Sequence, residues 1–274
     1  MNCCPVFCRP LLFNFTARHI FVAGCLAIFE KEWYTIKNIL REYVLFMDFV
    51  QWLRQLEFGY LFELFLTVAA SLLCITVHET CHGLVACWLG DDTAKKQGRL
   101  TLNPLRHVDL MGLVMMALMR FGWAKPVPVD MRKFRSPKFG MALTAAAGPV
   151  SNILLALLAL LIRAILFPFY LSGSGLFWEY LMLFLEYMII LSAGLAVFNL
   201  FPIPPLDGSK VMFSLLPDRW YRKLMKYERY GFLVLAALLF LNVLDIPLVY
   251  LRDGLVHILS IITEPVYYFV NTII

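Results

Sequence analysis

YLFELFLTVAASLLCITVHETCHGLVACWL, residues 60 to 89, decides how the rest of the chain is read. Its first half is mostly apolar, and it then carries HETCH at 78 to 82 without leaving the apolar pattern. A helix of that length reaches about 45 Å at 1.5 Å per residue, more than the roughly 30 Å hydrocarbon core of a bilayer. The stretch therefore predicts a membrane-spanning helix with polar groups inside it. The whole chain agrees: of 274 residues 61% are hydrophobic and 16% charged, against roughly 25% charged in soluble domains. Intrinsic disorder is excluded by this hydrophobicity, and a collagenous or low-complexity chain by the ordinary 15 Gly and 14 Pro. The net charge of +5 lies in short basic loops between apolar runs, a pattern that sets membrane orientation and needs no nucleic-acid partner.

Further apolar runs at Ala142 to Pro168, Phe177 to Phe201 and Gly231 to Leu251 predict three more spans. The second opens on the small-residue run Ala145, Ala146, Ala147, Gly148, which suits close helix packing. The third ends in NLFPIPPLDG at 199 to 208. Lys and Arg crowd residues 90 to 140 and again 210 to 229, whereas residues 169 to 178 have neither. By the positive-inside rule the basic loops face the cytoplasm. These signals divide the chain into an N-terminal extension at 1–56, a membrane core at 57–250 and an apolar C-terminal segment at 251–274. Residues 11 to 29 form a weak extra span or precede a start at Met47, and a secretory signal peptide fits them poorly. The seven cysteines, Cys3, Cys4, Cys8, Cys25, Cys74, Cys81 and Cys87, imply no disulfide framework. Those near the first span read as small hydrophobes.

His78 and His82 are four residues apart, about 40° round a helix, so both imidazoles face one side and can hold one metal ion. Glu79, about 100° round, can act on a water at that ion without being a ligand, the arrangement of a general base in metal-assisted hydrolysis. HExxH strings also arise by chance, but an ionisable residue inside a membrane helix costs about 2.5 to 3.5 kcal/mol. Two His and a Glu gathered round a cation satisfy one another, whereas three isolated polar residues would each need a partner. A closed site of Cys74, His78, Cys81 and His82 is excluded because one straight helix cannot wrap an ion tetrahedrally. The third ligand expected is Asp207, since Pro202, Pro204 and Pro205 end the preceding helix at the same depth. Read alone, Asp207 followed by Gly is also an ordinary turn pair. Two His, one carboxylate and an open position make a catalytic zinc arrangement.

HETCH at 78 to 82, AGPVSN at 147 to 152 and NLFPIPPLDG at 199 to 208, in this order and on separate spans, resemble the site-2 protease family of intramembrane zinc metalloproteases. GRLTLNPLRHVD at 98 to 109 and GWAKPVPVD at 122 to 130 are similar to its compact prokaryotic branch, without PDZ or CBS domains. The resemblance covers about residues 57 to 250. It implies an all-α polytopic membrane protein with a three-helix catalytic core, flanking transmembrane helices and a small β-rich loop after the first core helix, fitting Leu110 to Val129. It further implies one catalytic Zn2+ on His78, His82 and Asp207, Glu79 as the catalytic base, and Asn152 and Asn199 as active-site support. For the two Asn residues, hydrogen bonding between helices is an equal alternative. His107 is not expected to be a ligand. The implied substrate is a transmembrane segment of another membrane protein, with Pro126 and Pro128 bordering its docking edge. The implied location is a prokaryotic cell membrane, with the active site near the cytoplasmic side. Two other classes remain open at this point: a metal-dependent membrane transporter, and a non-proteolytic membrane chaperone on the same fold.

Overall fold

The computed structural model describes residues 58–109, 111–112, 125–173 and 175–273. The expectations for residues 1–56, including Cys3, Cys4, Cys8 and Cys25, lie outside the described residues. The first described helix, α1, spans Phe58–Trp88 and stops at Gly90, whose φ of +105° is left-handed. Asp91 N–H bonds back to Ala86 C=O at 2.9 Å and Gly90 N–H to Cys87 C=O at 3.1 Å, the paired bonds of a Schellman cap. The cap sets Asp91 at a defined place beyond the helix end. A short helix, α2, follows at Thr93–Lys96.

Helix α3, Pro137–Ser172, opens with proline in its first turn, where the missing N–H costs nothing. Helix α4, Leu176–Leu200, ends where Pro202, Pro204 and Pro205 cannot continue it. The chain reverses and α5, Asp207–Ser214, begins at Asp207. Gly208 is needed there, because a Cβ would stand 2.1 Å from the Leu200 carbonyl oxygen. Helix α6, Asp218–Phe240, and α7, Asp245–Ile273, complete the order.

Among the described residues, four segments are long and apolar enough to cross a membrane: Gly59–Trp88, Pro137–Ser172, Leu176–Leu200 and Asp245–Val270. The first three match the expected spans. The expected fourth, Gly231 to Leu251, is not one helix. Its apolar stretch within α6, Tyr230–Phe240, reaches only about 16 Å, and α6 then closes with Val243 N–H on Leu238 C=O and Asn242 N–H on Leu239 C=O. Asn242 takes the left-handed φ of 55°. The fourth candidate span belongs to α7, which carries Glu264 and Pro265 within the helix.

The chain is thus an all-α polytopic membrane protein, with α3 packed against α1, α4, α5 and α7. The core joins Ala70 and Cys74 of α1, Ala156, Ala159 and Leu160 of α3, Leu185, Met188 and Ile189 of α4 and Leu259 of α7. Small side chains let the helices approach closely, which is how helices associate where lipid is as apolar as leucine. Cys74 is a buried free thiol 3.1 Å from Ser192 Oγ. Leu154, Leu158, Phe177 and Ile262 are exposed and suit a lipid-facing surface.

The β-rich loop is not supported. Among the described residues between α2 and α3 no strand forms. Two 3-10 turns, Pro104–Arg106 and Met131–Lys133, and one backbone bond from Lys125 N–H to His107 C=O at 2.8 Å organise it instead. The prolines at 126 and 128 remove two of the N–H groups a ladder would need. Leu110 and residues 113–124 lie outside the described residues.

Candidate active site

His78 and His82 lie on the side of α1 that faces α3, both buried. Their Nε2 atoms are 3.0 Å apart, and each stands 3.2 Å from Oδ2 of Asp207. Donors about 2.0–2.1 Å from a tetrahedral ion are about 3.3 Å from one another, so these three edges fit one zinc ion without rearrangement. His78, His82 and Asp207 form the one such group among the described residues. Burial alone would raise the Asp207 carboxyl, but the two imidazoles beside it outweigh burial and hold it well below the carboxylate range. The site therefore presents an anion and two imidazoles, the donor set of a divalent cation.

Helix α3 shapes the outer side of the pair. His82 Nδ1 donates to the Thr144 carbonyl at 2.7 Å, and Asn152 Nδ2 lies 3.2 Å from His78 Nδ1. Between them Gly148 leaves the room the rings occupy, since a Cβ would come within 2.4 Å of His82 Nε2 and 2.5 Å of His78 Cε1. Pro149 has no N–H for the Ala145 carbonyl, so that carbonyl lacks its helix bond in the turn beside the rings.

The loop between α2 and α3 packs on the adjoining face of α1. Glu79 Oε2 accepts the Val127 N–H at 3.0 Å, and Thr80 Oγ1 donates to the Thr101 carbonyl at 3.0 Å. His107 is buried, 2.9 Å from the Thr101 carbonyl through Nε2, and takes no part in the metal group. Asp91, fully buried, ties the loop down. It accepts from Asp130 N–H at 2.6 Å and Thr93 N–H at 3.0 Å, bonds the Thr93 hydroxyl, and pairs with Lys133 Nζ at 3.2 Å. Burial pushes the Asp91 carboxyl up, but these bonds overcome it and hold it below the usual range.

A cavity of about 750 Å3 opens over the site, lined by Glu79, Val127, Phe198, Asn199 and Lys210 among others. Asn199 lines it while its amide donates to the Leu195 carbonyl of its own helix at 3.0 Å. Asn152 is fully buried behind His78. All the residues expected from sequence thus converge, except that the two Asn residues occupy different layers. Thr144, Gly148, Val127 and Asp91 were not anticipated. Only Gly148 carried a signal, its place in a small-residue run.

The chain is 40% identical over 171 residues, 62% of its length and 78% of the relative's, to "Putative zinc metalloprotease YwhC" of Bacillus subtilis. The chain belongs to peptidase family M50. Residues 169–242, holding α4 and NLFPIPPLDG, match the family directly. A second relative, "Putative zinc metalloprotease Rip2" of Mycolicibacterium smegmatis, is 30% identical over 64% of this chain and 66% of its own. No solved structure matches the chain significantly. This M50 protein is an integral membrane zinc metallopeptidase, the site-2 protease type the motifs resembled.

Proposed function

We propose that this protein hydrolyses peptide bonds within or beside transmembrane segments of membrane protein substrates, in a prokaryotic cell membrane and near its cytoplasmic side. The depth of the site carries the reading. His78 and Glu79 lie on a candidate membrane span about ten residues, or about 15 Å, before its end. They open into a cavity walled by α1, α3, α4 and α6 and by the loop residues Pro126, Val127 and Val129. The basic loops that adjoin this end of α1, α3 and α4 support a cytoplasmic orientation.

His78, His82 and Asp207 would hold the zinc, two imidazoles and a carboxylate being a donor set of catalytic zinc sites. When bound, the ion supplies Lewis acidity that polarises the scissile carbonyl and makes water a nucleophile near neutral pH. Glu79 takes the proton of the attacking water and returns it to the leaving amine. Asn199, on the cavity wall, is placed to touch substrate. A transmembrane helix hides its carbonyls in its own hydrogen bonds, so the substrate must unwind before attack. The segment bordered by Pro126 and Pro128 lines the cavity and is tied beside Glu79 by the Val127 N–H, so it presents one chain edge next to the base. That edge suits an unwound substrate strand.

The test is Glu79→Gln in the purified, reconstituted chain, read by zinc content and by mass spectrometry of a membrane-embedded peptide. Zinc is expected to stay while cleavage falls by about 100-fold or more. Unchanged cleavage would remove Glu79 as the base. Cuts confined to soluble regions of the peptide would remove the intramembrane reading, and movement of zinc across vesicles without cleavage would favour a transporter.

A further inference from the structure

The Asn152 amide is buried out of reach of the cavity, so it cannot be a group that touches substrate. Its fully buried side chain is not among the cavity-lining residues. It meets His78 Nδ1 at 3.2 Å, on the far side of the ring from the nitrogen that faces Asp207 and His82. A neutral imidazole with a free lone pair on Nε2 carries its hydrogen on Nδ1. That N–H needs an acceptor, and an amide NH2 is not one. At the other end of the same amide, Oδ1 has no donor near it. Both ends are therefore reversed for a metal-binding His78, and a half-turn of the carboxamide, which changes no shape, brings Oδ1 to Nδ1.

We propose that Asn152 is a positioning residue. Its Oδ1 accepts the His78 Nδ1–H, fixes the tautomer that leaves Nε2 free for zinc, and holds the ring in plane with the site. The inference rests on His78 ligating through Nε2, as the 3.2 Å approach to Asp207 indicates. The other ligand is held in the same way, because His82 Nδ1 bonds the Thr144 carbonyl at 2.7 Å. Thr144, Gly148 and Asn152 follow one another at intervals of four residues, each step about 40° round α3. They form one ridge that supplies an acceptor, a gap and a second acceptor to the two imidazoles.

Asn152→Asp keeps an acceptor in place and has no donor, while Asn152→Leu keeps the approximate volume and has neither. Zinc affinity of the purified full chain, measured by competition with a chromogenic chelator, is expected to fall about 10- to 100-fold in Asn152→Leu. In Asn152→Asp it should remain within about threefold of wild type. Peptide KM should be unchanged in both, and saturating zinc should restore kcat to the leucine variant. Wild-type zinc affinity in Asn152→Leu would overturn the assignment, as would a raised KM at full zinc loading. Loss in Asn152→Asp equal to that in Asn152→Leu would mean that the amide acts as a donor, and would overturn it too. If Asn152→Leu does not accumulate, Asn152→Ser, too short to reach the ring, is held to the same expectation. His78→Ala measured alongside separates the two levels: full zinc affinity there would overturn the ligand reading itself.

Discussion

Alanine at Gly148 puts one methyl group where the two imidazoles meet α3. Its Cβ would lie 2.4 Å from His82 Nε2 and 2.5 Å from both Cε1 atoms. Non-bonded heavy atoms settle at about 3.5 Å or more, so rings and helix must separate by roughly 1 Å. Overpacking of this kind costs about 1–3 kcal/mol, which leaves the helices folded. The metal site has far less tolerance, because ligand distances hold within about 0.2 Å of ideal. We expect Gly148→Ala to purify with unchanged helical circular dichroism, with zinc below roughly a tenth of wild type after gel filtration, and with proteolysis down at least about 100-fold. Gly194→Ala is the control. Its nearest neighbour, Arg252 Cδ, is at 3.9 Å, an ordinary contact, and zinc and activity should match wild type. A Gly148→Ala chain with one zinc and the wild-type rate would refute the packing of α3 against the ligands and the three-edge geometry with it.

Val127→Pro deletes the N–H that Glu79 accepts; a hydrogen bond to a charged group contributes about 1.5–3 kcal/mol, so hydrogen exchange at 125–133 should quicken and cleavage fall while zinc content stays constant. Asp91→Asn weakens the bonds anchoring that loop and should lower stability by about 1–3 kcal/mol in chemical or thermal unfolding. Because the folded Asp91 carboxyl is held below its ordinary value, its contribution is present above the unfolded value of about 3.9 and is lost as pH falls through the lower folded value. The gap in melting temperature between wild type and Asp91→Asn should therefore be flat from pH 7 to about 4 and narrow only below. Zinc at about 100 times its Kd should raise the unfolding free energy by about 2.7 kcal/mol, a gain that His78→Ala should abolish in a thermal-shift assay.

The HETCH and LDG residues were legible because an ionisable group inside an apolar span has few uses other than a shared site. The helices were legible for the same reason of contrast, and α1, α3 and α4 lie where the apolar runs put them. The break between α6 and α7 lies beyond the reach of an apolar count. Asn242 followed three residues later by Asp245 is a helix stop and start, but an apolar count across residues 231–251 averages over it. A β-rich α2–α3 loop is implied by the resemblance alone, while its own Pro126 and Pro128 argue against a paired ladder. Thr144 and Val127 could not be found by residue type, because each contributes a backbone group that any amino acid carries. Asn152 was found, but its layer was not: whether an amide faces a cavity or the back of a ligand depends on how two helices cross.

That crossing explains why the Gly-Pro pair belongs with the zinc ligands. Histidines four apart on α1 present two rings in succession, each needing an outer acceptor and a shared space between the helices. Helix α3 answers at the same four-residue interval, with the Thr144 carbonyl on one ring, the amide of Asn152 on the other and no side chain at Gly148 between them. In lipid an unsatisfied polar group costs several kcal/mol, so the fit acts on folding as well as chemistry. Helix α3 can pack closely on α1 only in the register that satisfies both imidazoles; a slip of one residue would turn the Gly148 gap by about 100° and drive a Cβ into the rings. The same register leaves both Nε2 atoms facing Asp207, so packing the apolar helices correctly and assembling the metal site are one event.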